Sequence, residues 1–456
     1  MATVSAAAGR DTQGASANLP FIIAASSAGT LIEWYDFYLY GVLAAFFAGQ
    51  FFPGSMTQGF LYSLGIFWTG FVVRPFGAIF FGHLGDRIGR KFTFMLTLGL
   101  MGLATFLVGC LPTYASIGWF APALLVLMRV VQGLALGGEY GGAATYIAEH
   151  APDGKRGLYT SWIQTTATLG IVAALLVILA FRIGLGEDAF KAGGWRYPFL
   201  ISAILVLLSG YIRLKLEESP LYARLKAQGK TSANPALETY SSGRNLGQML
   251  IALFGATAPE GVVWYTGQFY ALFYLTAVLK VPYVEVYMMM ILALIFGAPF
   301  FVFFGWLSDR IGRRGIMVTG FVLAVLTYIP VFEAFGAYKD NPVILTVLVW
   351  YMVILVTMVY GPIAAFLVEF FPARIRYSSM SMPYHIGNGV FGGGVPFIGT
   401  ALVQATGNAL AGLYYPMGIA ALGVIVALTS IRSTTHEVEI WDEVGGGGPP
   451  LVPDQP

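Results

Sequence analysis

The sequence predicts an all-α membrane protein of twelve transmembrane helices arranged as two pseudo-symmetric six-helix bundles. Three observations predict it. Apolar residues make up 57% of the 456 and charged residues only 11%, less than half the roughly 25% of an ordinary soluble domain. Twelve apolar runs follow, at 20–48, 59–82, 92–111, 120–148, 158–182, 196–216, 247–279, 284–307, 315–335, 342–370, 377–405 and 409–431, each long enough for a hydrocarbon core that needs about 20 helical residues. The third observation is a repeat. Gly82 to Lys91 reads GHLGDRIGRK and Gly305 to Arg314 reads GWLSDRIGRR, with seven of ten positions identical at an offset of 223. Glu149 to Arg156 (EHAPDGKR) and Glu369 to Arg376 (EFFPARIR) repeat at an offset of 220. Two such offsets mark two similar halves in tandem.

The expected divisions are an N-terminal segment 1–19, a first bundle 20–216, a connecting loop 217–246, a second bundle 247–432 and a tail 433–456. Both ends are polar or rich in glycine and proline and are expected to be disordered and cytoplasmic. No apolar stretch precedes Asn18, so the first span itself is expected to serve as the insertion signal. With the amino terminus inside, 18 Lys and Arg fall on cytoplasmic segments and five on outer ones, the asymmetry that orients spans in a bacterial inner membrane. A β-barrel is excluded because the runs lack the short alternating pattern of a lipid-facing strand. The lone Cys110 excludes a disulfide framework. His83, His150, His385 and His436 are scattered, so no metal site, cofactor or nucleic-acid partner is expected, and the chain is expected to act as a monomer in the lipid bilayer.

The polar residues inside the spans come next, since ionisable groups in hydrocarbon are costly and mark functional cavities. Span 1 carries Glu33, Asp36 and Tyr40, which share one helical face. Span 2 carries Arg74 before Pro75, a cation at a kink and a candidate counter-ion for Glu33 or for an anionic substrate. Span 4 holds Arg129, Gln132 and, among four glycines, Glu139. Gln164 begins a polar stripe on span 5. Span 7 is interrupted at Pro259-Glu260-Gly261 and continues through Trp264, Tyr265 and Gln268, the kind of broken span that builds a transporter site. Tyr384, His385 and Asn388 lie on span 11, with His385 a candidate for titration near neutrality.

GHLGDRIGRK resembles the signature loop between helices 2 and 3 of the major facilitator superfamily, and its second copy falls in the equivalent loop of the other half. Arg129-Val-Val-Gln132-Gly133 is similar to that superfamily's helix 4 motif. EWYDFYLYG (Glu33 to Gly41), the block from Arg129 to Gly142, GWRYPF (Gly194 to Phe199) and EESPLY (Glu217 to Tyr222) together resemble its metabolite:proton symporter branch, over residues 20 to about 430. That branch holds permeases for citrate, 2-oxoglutarate, shikimate, proline and betaine.

The resemblance implies a major facilitator fold and proton-coupled uptake of a small organic acid by alternating access, with protons and substrate as partners and no enzymatic activity. It implies Asp36 with Arg129 as the coupling pair, as in the sugar-porter branch, with Glu33 and Glu139 as further proton carriers. Arg74, Tyr40, Gln132, Gln164, Glu260, Trp264, Tyr265, Gln268, Tyr384, His385 and Asn388 are the candidate substrate residues. The charged turns are expected to act as a gate built from Gly82, Asp86, Arg87, Gly89, Arg90, Glu149 and Arg156. Its second copy is Asp309, Arg310, Arg313, Glu369 and Arg376. In this scheme Asp86 caps span 11, and Arg87 and Arg90 meet Glu149. The rival is an osmolyte symporter, with Trp264, Tyr265 and Tyr270 caging a quaternary amine. Drug efflux lacks the branch-specific blocks, and a non-transporting receptor would need a soluble module that neither the tails nor the loop can hold.

Overall fold

The computed structural model describes residues 19–88, 90–138, 140–152, 154–214, 239–372 and 375–438, and every regular element among them is helical. Twelve spans are assigned. In the first half α1 is Leu19–Val42 continued by Ala44–Phe51, and α2 is Met56–Val72 continued by Arg74–Ile88. They are followed by α3 (Arg90–Cys110), α4 (Phe120–Gly137, then Tyr140–His150), α5 (Arg156–Leu185) and α6 (Tyr197–Leu200, then Ser202–Leu214). The second half comprises α7 (Gly243–Val278), α8 (Tyr283–Ile311), α9 (Arg313–Ala337), α10 (Pro342–Tyr360, then Ile363–Phe370), α11 (Arg376–Thr406) and α12 (Tyr414–Ser430). Nine described helices are long and apolar enough to cross a membrane alone. A tenth span is α1, bent by 58° at its break, and the apolar part of α3, Met95–Cys110, is shorter.

Backbone chemistry explains the irregular spans. Wide π-type turns stand at Leu253–Thr257, Thr266–Tyr270, Tyr274–Val278 and His385–Gly392, with Pro259 just after the first and Pro383 just before the last. A proline cannot donate to the preceding turn, and such widened turns collect at functional sites. They stand on α7 and α11, which pack on each other across glycines. A Cβ on Gly387 would sit 2.2 Å from the Thr257 hydroxyl oxygen, and one on Gly261 would sit 2.6 Å from the Asn388 Cα.

The two halves pack as their repeat predicts. Within the first half α1 lies along α5, and α7 lies against α11 in the second; across the halves α8 packs on α5 and α11 on α2. Each contact therefore has a counterpart under the same pseudo-twofold exchange. The α5–α8 contact is tight because Gly157 and Gly305 face each other: a Cβ on either would approach the other's carbonyl oxygen to 2.3 or 2.5 Å. Small residues let membrane helices approach this closely.

Two boundaries differ from those read in the sequence. Helix α7 starts at Gly243, four residues before the expected 247, with Ser242 accepting from Asn245 N as its cap. Residues 433–438, expected within a disordered tail, form a turn at Thr435–Glu437, and the Val438 carbonyl accepts from Arg156 Nη1.

Candidate functional site

Two polar layers lie between the halves, one at mid-depth and one at the face that carries the charged turns. At mid-depth the first-half cation Arg129 is fully buried, its guanidinium lying 4.1 Å from the centre of the Phe37 ring and 4.9 Å from that of Tyr40. It donates to the Phe37 carbonyl at 3.1 Å, the Phe67 carbonyl at 3.4 Å and Gln132 Oε1 at 2.7 Å. Gln132 in turn donates to Thr105 Oγ1 at 2.7 Å, and the Tyr40 hydroxyl donates to the Ser63 carbonyl at 3.0 Å.

The expected Asp36–Arg129 ion pair is not made. Arg129 is held through Nη1 and Nη2 by main-chain carbonyls of α1 and α2 and by Gln132, leaving its Nε unbonded, while Asp36 is fully buried with neither carboxylate oxygen hydrogen-bonded. Glu33 is buried on the same helix.

Arg74 is placed differently. The break at Val73 starts a new helix at Arg74, and its side chain crosses toward the second half, where a Cβ on Gly389 of α11 would lie 3.7 Å from its Nη1. It is fully buried, Nε, Nη1 and Nη2 have no hydrogen-bond partner, and the rings of Trp34, Phe71 and Tyr384 stand 5.6, 5.7 and 5.8 Å away. Glu260, also fully buried, is within electrostatic reach of it and receives Asn388 Nδ2 at 3.0 and 3.4 Å. His385 lies beside Arg74 with neither ring nitrogen hydrogen-bonded. A buried cation without acceptors is unstable unless something completes it.

Other candidates stitch the halves together. Gln164 Nε2 donates to the Tyr360 carbonyl at 3.3 Å, and the Thr168 hydroxyl donates to Gln268 Oε1 at 3.1 Å, leaving Gln268 Nε2 unbonded. Within the second half the Tyr384 and Tyr360 hydroxyls meet at 2.9 Å, and across the halves those of Tyr265 and Tyr38 meet at 3.4 Å. Trp264 stacks on Tyr38, which stacks on Trp34, at 5.4 and 5.0 Å between centroids. The Trp264 ring of the expected cage is thus covered on one face by Tyr38. Tyr270 leaves the expected cage, packing on Phe332 at 5.7 Å. Tyr38 and Tyr360 were not read as site residues from the sequence. Tyr38 follows Trp34 by four residues, one turn along the same face, and that spacing was the available signal; Tyr360 carried none.

At the charged-turn face the repeated motifs exchange partners. Glu369 of the second half takes a two-pronged bond from Arg313 at 2.8 and 3.1 Å and stands 3.7 Å from Arg156 of the first half. Glu149 of the first half stands 3.5 Å from Arg376 of the second. Asp309 accepts from Gly157 N and Leu158 N, both at 2.8 Å, capping α5 from the tip of α8, and pairs with Arg313 at 2.6 Å. Carboxylates are favoured at such helix starts. Arg310 does not join the cluster; its guanidinium stacks 4.1 Å over Trp306. The side chains of Asp86, Arg87 and Arg90, with Gly82, Gly89 and Glu139, fall outside the described residues, as do the Asp86 cap and the contacts of Arg87 and Arg90.

A cavity of about 500 Å³ opens between the halves on the opposite face, lined by α1, α2, α7, α11 and the turn before α8. One face is thus stapled by ions while the other is hollow, with unbonded polar groups between.

This geometry, two helical halves enclosing buried polar groups, is that of a polytopic transport protein. The family model described as Major Facilitator Superfamily matches residues 26–395, and the chain belongs to that superfamily. It is 36% identical over 427 residues to the inner membrane metabolite transport protein YhjE of Escherichia coli K12, covering 91% of this chain and 94% of that one. It is 35% identical to the shikimate transporter of the same organism, covering 83% and 86% of the two chains. With the glycine betaine/proline/ectoine/pipecolic acid transporter OusA of Dickeya dadantii it shares 32%, covering 89% and 82%. The crystal structure of a D-xylose-proton symporter superposes with a TM-score of 0.70 at 17% identity, covering 92% of this chain and 99% of that one, a likeness of fold alone.

Proposed function

We propose that the protein takes up a small organic acid together with protons across the bacterial inner membrane by alternating access, with both termini in the cytoplasm. The observation that carries this reading is Arg74, a fully buried guanidinium between the halves with no hydrogen-bond partner on any of its three nitrogens. A substrate carboxylate supplies the missing acceptors in a bidentate geometry that guanidinium favours. Glu260 and Asn388 then face the other end of the solute, and the shikimate transporter among the relatives, whose named substrate is a carboxylic acid, supports the class.

The cycle follows from the two layers. With the ionic staples closed the cytoplasmic face is shut and the solute arrives from outside. Binding at Arg74 draws the halves together around it, the staples separate, and the solute leaves inward. Asp36 remains the first candidate for the coupling proton, unpaired with Arg129 in this state, with Glu33 beside it. Each net positive charge moved inward across 100 mV releases about 2.3 kcal/mol, enough for roughly fifty-fold accumulation.

The osmolyte reading, to which the OusA likeness lends weight, is disfavoured by the stacked Trp34–Tyr38–Trp264 column and by the absence of Tyr270 from it. The deciding experiment is uptake into proteoliposomes under an imposed pH gradient, with shikimate, citrate and 2-oxoglutarate set against glycine betaine. At least one acid is expected to accumulate, betaine is expected not to compete, and Arg74→Gln is expected to reduce uptake by about ten- to a hundred-fold, the worth of one charge-assisted hydrogen bond. Equal competition by betaine, or undiminished uptake by the variant, would overturn the assignment.

A further inference from the structure

The cavity on the face opposite the charged turns is not part of the central site, and its chemistry is one-sided. Its lining includes Thr57, Tyr274, Thr400 and Gln404, all neutral, and Lys280, the sole charged residue among the lining side chains. At about 500 Å³ it is large enough for a small solute. Its floor is the Phe60–Phe273 edge contact between α2 and α7, 5.5 Å between centroids, and Phe269 of the next turn meets Tyr38 of the central column at 5.1 Å. The cavity therefore lies on the path from one face to the central layer.

Lys280 is held there against its own backbone preference. Its φ is +59°, in the left-handed region that L side chains avoid. The other positive-φ positions among the described residues, Gly54, Gly118, Gly154, Gly186, Gly312 and Gly407, are all glycine. The turn is pinned on both sides, with Leu279 N donating to the Tyr274 carbonyl at 2.9 Å and Val281 N to the Leu275 carbonyl at 3.0 Å. Glycine would meet that geometry without strain, and a lysine there supplies a charge that glycine lacks. Its ammonium makes no ion pair or hydrogen bond among the described residues and is exposed at the cavity mouth.

We propose that this cavity is a vestibular binding site for carboxylate-bearing solutes, in which Lys280 captures the anion before it passes the Phe60–Phe273 floor to Arg74. The inference rests on the organic-acid reading above. Capture by an exposed charge raises the rate of productive encounter and is screened by salt, so its signature is in KM and ionic strength, not in turnover.

The test is initial uptake of labelled shikimate, citrate and 2-oxoglutarate by the full-length protein in proteoliposomes. For whichever acid accumulates, Lys280→Gln is expected to raise KM about five-fold at about 10 mM salt with turnover unchanged, and to converge on the wild type at about 0.5 M. Lys280→Arg is expected to retain the wild-type KM. Lys280→Gly separates capture from turn geometry, because relief of strain should leave thermal stability equal or higher while KM rises as in Lys280→Gln. Wild-type KM and salt dependence in both the Gln and the Gly variants would overturn the vestibular site, leaving the central assignment standing if Arg74→Gln still shows its reduced uptake. A wild type that accumulates none of the three acids overturns the substrate reading itself, and this site with it.

Discussion

Replacing Asp309 with asparagine is expected to unlatch the charged-turn face. Asp309 sits at the tip of α8 and accepts from two main-chain donors at the start of α5, Gly157 N and Leu158 N, both at 2.8 Å, while also pairing with Arg313 at 2.6 Å. The asparagine side chain would be neutral: one oxygen can still accept, but the amide nitrogen would face the second N–H. Each charge-assisted bond is worth about 1.5–3 kcal/mol, and the helix-start attraction adds roughly 0.3–1 kcal/mol. The two bonds to α5 join the halves only while the face is shut, since on opening this position would be solvated whichever side chain it carries. A loss of about 3 kcal/mol would thus move the shut-to-open ratio by roughly two orders of magnitude. The assay uses the single native cysteine to advantage. In a Cys110→Ser background, Thr145→Cys places a thiol where the Thr145 hydroxyl now meets Met380 Sδ across the halves at 3.4 Å. Alkylation in detergent is expected to run at least about ten-fold faster with Asp309→Asn, because modification of a buried thiol follows the open population. A rate equal to that of the parent would refute the reasoning, for it would show that the α8–α5 cap does not hold this face closed.

Glu369→Gln is expected to be more severe, because it strands Arg313 and Arg156 with less counter-charge in a buried site; removing one member of such a pair costs about 3–5 kcal/mol, read as a large fall in melting temperature in detergent. Asp36→Asn is expected to abolish accumulation driven by a pH gradient while leaving substrate exchange partly intact, measured as uptake against counterflow in the same proteoliposomes. Unchanged accumulation by that variant would remove Asp36 from the coupling step and turn attention to Glu33 or Glu260.

Much of the architecture was legible because its causes are local. A run of about 20 apolar residues has few alternatives to a spanning helix, and a charged turn such as Gly305 to Arg314 cannot lie in hydrocarbon, so the spans and their duplication could be read directly. Arg74 was marked by the cost of a cation beside Pro75 at mid-depth. Its loneliness was not, since that depends on which carbonyls α1, α2 and α11 turn toward it, and on Arg129 rather than Arg74 receiving them. That Asp36 and Arg129 stand unpaired in this state has the same cause: Arg129 gives its donors to the Phe37 and Phe67 carbonyls and to Gln132, and Asp36 is left without a hydrogen bond. The aromatic cage failed because Tyr270 and Trp264 are six positions apart on α7, with a π-type turn at Thr266–Tyr270 between them that re-aims the later ring.

By itself the sequence determined a duplicated, twelve-span membrane protein with a few ionisable groups held in its interior, because hydropathy and repeat spacing are properties of the chain alone. Only the tertiary structure decided that Glu149 answers Arg376 and Glu369 answers Arg156, each motif completing its copy in the other half. It alone decided that Arg129 is held by main-chain carbonyls while all three nitrogens of Arg74 are left open. Partner choice between side chains some 200 residues apart is fixed by how two helices face each other, and that information exists only once the halves have packed.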